Sequence, residues 1–151
     1  MRIWIDNDGC PKIVREMVFN GATRKNVQVF VVANRHSQLP KGDLFKSICV
    51  PGGFDEADDY IAEHCNKGDL VITSDVPLAA RVVPKGAIGI NSHGNIFDEK
   101  SIGEQLATRN LMQELRGGGM ITGGPPPFGL AEKKRFADAF DRLLERLSKK
   151  H

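Results

Sequence analysis

Residues 27–33, V-Q-V-F-V-V-A, are β-branched and almost wholly apolar, the composition of a strand covered on both faces. Shorter runs of the same kind recur at Ile3, Trp4 and Ile5, at Leu70, Val71 and Ile72, and at residues 87–90. Segments with helical spacing lie between them. Pro11 suits the first turn of a helix carrying Ile13, Val14, Met17 and Val18. A second helix runs from near Asp55 to about Cys65 with Ala57 and Ile61 inward, and Pro77 with Leu78, Ala79 and Ala80 begins a short third. A further strand at 47–50 is closed by Pro51, Gly52 and Gly53. The order β-α-β-β-α-β-α-β predicts an α/β fold of three layers: an open, mostly parallel, Rossmann-like sheet with right-handed crossovers and helices on both faces.

Residues 87–90 are read as the last strand of that sheet, and 91–95 as a turn. Ile102, Leu106, Leu111, Met112 and Leu115 then outline a helix ended by a glycine triplet. Phe136, Phe140, Leu143, Leu144 and Leu147 mark an amphipathic final helix, a C-terminal extension of the sheet. Residues 116–129, with six glycines and three prolines, form the one long irregular stretch. It lacks the lysine and the strand-loop-helix setting of a nucleotide P-loop, and a stretch of this length is read as a lid beside the pocket.

At 151 residues the chain has the size of one domain, 1–151. Its 40% hydrophobic and 26% charged content is that of ordinary globular proteins and excludes neither an enzyme nor a binding module. The net charge of +2 decides little, whereas its distribution is informative. Acids mark the strand ends, while Lys133, Lys134, Arg135, Arg142, Arg146, Lys149 and Lys150 gather near the C-terminus, where a solvated helix face explains them as well as phosphate attraction does. Cys10, Cys49 and Cys65 are too few and too irregularly spaced for a disulfide framework or a zinc site, so a reduced, cytoplasmic setting is expected. No segment reads as a signal peptide, and the longest apolar run, 29–33, is too short to cross a bilayer.

In an open parallel sheet, ligands bind beyond the carboxyl ends of the strands, where strand order reverses. Asp6 and Asp8 in I-W-I-D-N-D-G-C-P, Asp55 and Asp58 in G-G-F-D-E-A-D-D-Y-I, and Asp75 in L-V-I-T-S-D-V-P all fall at such ends or open the helix that follows. Carboxylates about 4 Å apart repel by roughly 4 kcal/mol at an effective dielectric near 20. If they meet, either a cation sits among them or some stay protonated. Hard oxygen ligands of this kind suit Mg²⁺ or Mn²⁺, which leave positions for a substrate phosphate and support in-line attack of water on phosphorus.

Structural readings stand beside these. Asp55 and Asp75 also suit helix caps, Asp58 adds favourable charge to a first helical turn, and Asp6 with Asp8 suits a turn. Strand-end placement in three separate segments points instead to one shared site. Asn34 could hydrogen-bond a substrate there or brace its loop, and Thr73 and Ser74 could contact phosphate or satisfy backbone groups. Arg109 and Arg116 are the cationic candidates for a phosphate backbone, and Asp59 is the reserve acid. Cys10 is read as a helix-start or core residue, not a nucleophile.

Taken in order, D-N-D-G-C-P, V-V-A-N, G-G-F-D-E-A-D, G-D-L-V-I-T-S-D-V-P-L-A-A and the late T-G-G-P resemble the bacterial YaiI/YqxD family, from Met1 to about Leu147. That family is similar in architecture to PIN-like domains, many of them metal-dependent ribonucleases with acids at strand ends. The resemblance implies that Asp6, Asp58 or Asp55, and Asp75 carry catalysis and hold Mg²⁺ or Mn²⁺, with Asp8 a weaker ligand, and that RNA is the substrate. Two alternatives remain. D-x-D at the end of the first strand looks like a haloacid-dehalogenase-type phosphatase with Asp6 as nucleophile, although a cap domain and a catalytic lysine in the expected order are missing. The other is a non-catalytic RNA-binding or interaction module. A homo-oligomer stays open.

Overall fold

The opening apolar run becomes β1 (Arg2–Asp6) and the segment after Pro11 becomes α1 (Lys12–Lys25). There follow β2 (Gln28–Ala33), β3 (Phe45–Cys49), α2 (Glu56–His64), β4 (Leu70–Ile72) and α3 (Val76–Val82), the last continued by a single 3₁₀ turn, Val83–Lys85. The chain closes with β5 (Ile88–Ile90), β6 (Ile96–Phe97), α4 (Ile102–Gly117) and α5 (Leu130–Ser148). These elements belong to a computed structural model that describes residues 1–8, 10–53, 55–117 and 128–149.

The strands lie in the order β3-β2-β1-β4-β5-β6. All neighbours are parallel except β6, which runs antiparallel to β5. From β1 the chain builds outward through β2 and β3, then returns to the other side of β1 for β4, β5 and β6. Strand order therefore reverses between β1 and β4, and the crevice that such sheets use for ligands opens at the carboxyl ends of those two strands.

Helices cover both faces, which is why the strands are apolar at nearly every position. Ile3 and Ile5 point into one core with Val14 and Val18 of α1 and with Phe136, Phe140 and Leu144 of α5. Trp4, between them, points into the opposite core with Ile61 of α2 and with Leu78 and Val82 of α3. The result is an α/β fold in three layers with a C-terminal helix, as the alternation of segments predicts. Gly21 shows how closely α1 and α5 approach: a Cβ there would lie 2.8 Å from the Phe140 ring and 3.1 Å from Leu144.

Two elements differ from the sequence reading. The sheet does not end at residues 87–90, because β6 adds an antiparallel edge. Asn91 Oδ1 folds the chain back by accepting from the backbone N–H groups of His93 (3.0 Å) and Asn95 (2.9 Å), and Phe97 is then buried against Ala79 and Val83. Helix α1 also continues past its last marked apolar position to Lys25, ending where Asn26 takes a left-handed conformation at φ 56°. Most of the expected lid, residues 118–127, lies outside the described residues. Among those described, no helix is long and apolar enough to cross a membrane.

Candidate functional site

Parallel pairing sets the first two groups side by side. Ile5 of β1 is level with Ile72 of β4, so the next residues, Asp6 and Thr73, emerge together at the crevice. Thr73 donates its hydroxyl to Asp6 Oδ2 at 2.9 Å and accepts the backbone N–H of Asp75 on the same Oγ1 at 3.0 Å. The backbone N–H of Asp8 also donates to the Asp6 carboxylate. Asp6 is only 5% exposed, held at the floor of the crevice by the loops that follow both strands.

Asp75 does two jobs. Its Oδ1 accepts the Leu78 N–H at 3.0 Å and so caps α3, the structural role its position before Val76-Pro77 suggests. The same carboxylate stands beside Asp58, in the first turn of α2, and raises its proton affinity. Asp55 does not cap α2: it stands at the N-cap in a left-handed conformation, φ 62°, and its side chain makes no capping bond. A non-glycine residue held there is uncommon, aspartate being among the more tolerant types. The conformation leaves Asp55 lining the crevice beside Asp58.

These residues wall a cleft of about 610 Å³, within the range of ligand pockets. Among the described residues, six acids line it, Asp6, Asp8, Asp55, Glu56, Asp58 and Asp75, against one guanidinium, Arg35. Burial first, and this imbalance after it, raises proton affinity in the cleft. Burial raises Asp6 to about 6, opposed by its bonds from Thr73 and Asp8 and reinforced by the charges of Asp75 and Asp8. Asp58 is raised to about 7, first by loss of solvent, then by its hydrogen bond to Asp75 and by the charges of Asp75, Asp6 and Asp55. The opposite end of the sheet gives a contrast. Asp69 is just as buried but accepts from the backbone of Arg2 (3.0 Å), the Trp4 indole (3.0 Å) and the backbone of Asn66 (2.8 Å), and it pairs with the Arg2 guanidinium. A structural carboxylate in this chain is surrounded by donors; Asp6 and Asp58 are surrounded by other acids.

Asn34 and Ser74 line the cleft as expected. Thr73 corrects the expectation of phosphate contact: buried at 3% exposure, its hydroxyl is committed to Asp6, so it positions that acid. Arg109 is a second correction, since it lies on α4, donates to the neighbouring Asn110 and does not line the cleft. The side chain of Arg116 lies outside the described residues. Asp59 turns away to pair with Arg81 at 2.8 Å. The Cys10 thiol is pushed up to about 12, chiefly by burial, which suits packing and not nucleophilic attack. Arg35, Asn7 and Glu56 line the cleft as well, without a role expected from the sequence. Arg35 had a signal, its place directly after Asn34 at the end of β2.

Carboxylate oxygens are the donors that Mg²⁺ and Mn²⁺ take, and the cleft has too little positive charge of its own. Among the described residues, however, no group of three or more His, Cys, Asp or Glu is arranged to enclose a metal ion. Asp58 and Asp75 stand side by side, with Asp6 held separately by Thr73. This donor set fits an ion that uses one or two carboxylates and fills its remaining positions with water and phosphate, the habit of Mg²⁺, better than an all-protein cage.

No solved structure matches this chain. Sequence comparison is informative throughout its length. A UPF0178 protein of Geobacter sulfurreducens is 51% identical over 148 residues, spanning 97% of this chain and 98% of the relative. One from Pseudomonas fluorescens is 48% identical over 149 residues, 99% of each. The family model described as "Uncharacterized BCR, YaiI/YqxD family" matches residues 4–146, a span that includes every acid of the cleft. This chain belongs to the YaiI/YqxD family.

Proposed function

We propose that the carboxylate cleft hydrolyses phosphodiester bonds, with RNA as substrate and Mg²⁺ or Mn²⁺ as cofactor, as in the PIN-like nucleases to which the architecture of the YaiI/YqxD family is similar. One observation carries this reading: Asp6, Asp58 and Asp75, from three separate segments, line one cleft at the switch point of the sheet, with the proton affinities of Asp6 and Asp58 raised by burial and by neighbouring acids. Crowding of this kind costs stability and is characteristic of sites shaped for chemistry. A divalent ion held here supplies positive charge and polarises the phosphate oxygens.

The chain's own residues supply the rest. Asp6 is fixed by Thr73 and Asp75 by the first turn of α3, so both are held in place at the cleft without reorganisation. Asp58, close to neutrality, is matched to proton transfer: its carboxylate accepts from an attacking water, and its protonated form gives a proton to a departing oxygen. Asn34 and Ser74 offer neutral hydrogen bonds at the rim. The phosphatase reading is weaker, because a nearly buried Asp6 that already accepts two hydrogen bonds is poorly placed for attack on phosphorus.

The test is cleavage of end-labelled single-stranded RNA with Mg²⁺ or Mn²⁺. Wild type is expected to cut, a chelator to abolish cutting, and Asp6→Asn or Asp58→Asn to slow it by about 100-fold or more. RNA binding without cleavage under either metal would replace this reading with a non-catalytic binding module.

A further inference from the structure

The acidic cleft has a basic neighbour. A second cavity, about 400 Å³, adjoins it and shares two wall residues, Asn7 and Arg35. Its other charged walls come from the start of α1, Lys12, Arg15 and Glu16, and from the loop after β2, which adds His36. Among the described residues, three permanent cations therefore face a single acid. Arg15 is anchored: its guanidinium donates to Asn7 Oδ1 at 2.7 Å, tying it to the residue between Asp6 and Asp8. No acidic residue stands in the first turn of α1, where it would oppose an anion. Among the described residues, Lys12 and Arg35 form none of the side-chain ion pairs.

The two cavities thus have opposite sign and a common wall. A phosphate in the acidic cleft depends on a cation brought from solution, whereas a phosphate in the second cavity would meet cations that the chain itself provides. We propose that the Lys12–Arg15–Arg35 cavity binds the phosphate adjacent to the reacting one in a phosphodiester strand, and so selects a chain of nucleotides over a mononucleotide. This rests on the reading of the acidic cleft as the hydrolytic site. It places the strand across the carboxyl ends of β1 and β2, not along the basic face of α5.

Fluorescence anisotropy with short labelled phosphorothioate oligonucleotides, ribo and deoxyribo, tests the proposal on the full chain with Mn²⁺ present. Lys12→Gln combined with Arg35→Gln is expected to weaken binding about tenfold or more and to flatten the slope of log affinity against log salt by roughly 1.4, about 0.7 for each lost contact to a single strand. Lys133→Gln combined with Lys134→Gln, on α5, should change neither quantity. A tighter ribo form identifies RNA as the source of the phosphate, and equal binding of the two sugars supports recognition of the backbone alone. Unchanged affinity and slope in the cavity variant, or losses confined to the α5 variant, would overturn the proposal. Manganese calorimetry on the same variants separates the two readings. Mn²⁺ binding by wild type, together with oligonucleotide binding that is indifferent to Lys12 and Arg35, leaves the hydrolytic site standing and removes this one. Oligonucleotide binding that needs Lys12 and Arg35 in a protein that takes up no Mn²⁺ removes the hydrolytic reading and leaves the cavity a phosphate site with no reacting neighbour.

Discussion

Asp6 is the residue on which folding and function pull apart. Its carboxyl goes from the ordinary value near 3.8 in the unfolded chain to about 6 in the folded one. Across that window the folded chain holds more protons than the unfolded chain, so stability falls as pH rises through it and remains lowered above it. About two units correspond to roughly 3 kcal/mol at 1.36 kcal/mol per unit. Asp58 acts in the same direction, up to about pH 7. Asp6→Asn, whose amide oxygen can still accept from Thr73, should therefore stabilise the protein by about 1–3 kcal/mol at pH 8 and change little at pH 4. Urea unfolding at the two pH values measures this, and equal effects at both would contradict it. At this scale Asp6, Asp55, Asp58 and Asp75 were legible as strand-end or helix-start acids. The service of Thr73 to Asp6 was not, because it depends on which residues of β1 and β4 share a register. The same holds for Asp69, whose ring of donors is assembled from segments far apart in the chain.

Helices and strands set what these residues can do. Asp75 caps α3 and also lines the cleft, and two substitutions separate the cap from the proposed role in the site. Asp75→Asn keeps a good N-cap and removes the charge; Asp75→Ala loses both and should cost about 1 kcal/mol more in unfolding free energy, while the two variants lose divalent-ion binding alike. Equal stability of the pair would mean that the bond to Leu78 contributes nothing. Between α1 and α5, Gly21→Val should destabilise by about 1–3 kcal/mol, since the added atoms meet the buried Phe140 ring and outweigh any gain in helix propensity. A variant at least as stable as wild type would show that the two helices can part without loss. The elements themselves were mostly readable, because unbroken apolar strands and helical spacing are local signals. Strand β6 was not, since Ile96 and Phe97 are too few to carry a period and are recruited by a hairpin built on Asn91.

For the whole molecule, reversal of strand order at β1 gathers acids from three segments into one cleft and sets a basic cavity against it. The crossing from β3 back through α2 to β4 delivers Asp58 and Asp75 to the side of Asp6, and the return from β1 through α1 to β2 supplies Lys12, Arg15 and Arg35. The gathering of acids could be anticipated from the alternation of strands and helices. The basic cavity could not, since its cations follow no periodic pattern and meet only when the loop after β2 folds over the start of α1. Calorimetric titration of Mn²⁺ at pH 6.5, in buffers of different ionisation heat, tests the central claim most directly. Wild type should bind the ion saturably and release protons as Asp6 and Asp58 give theirs up, and Asp58→Asn should weaken binding about tenfold or more and release fewer. Absence of saturable binding to wild type, or binding that releases no protons and is indifferent to Asp58→Asn, would contradict it.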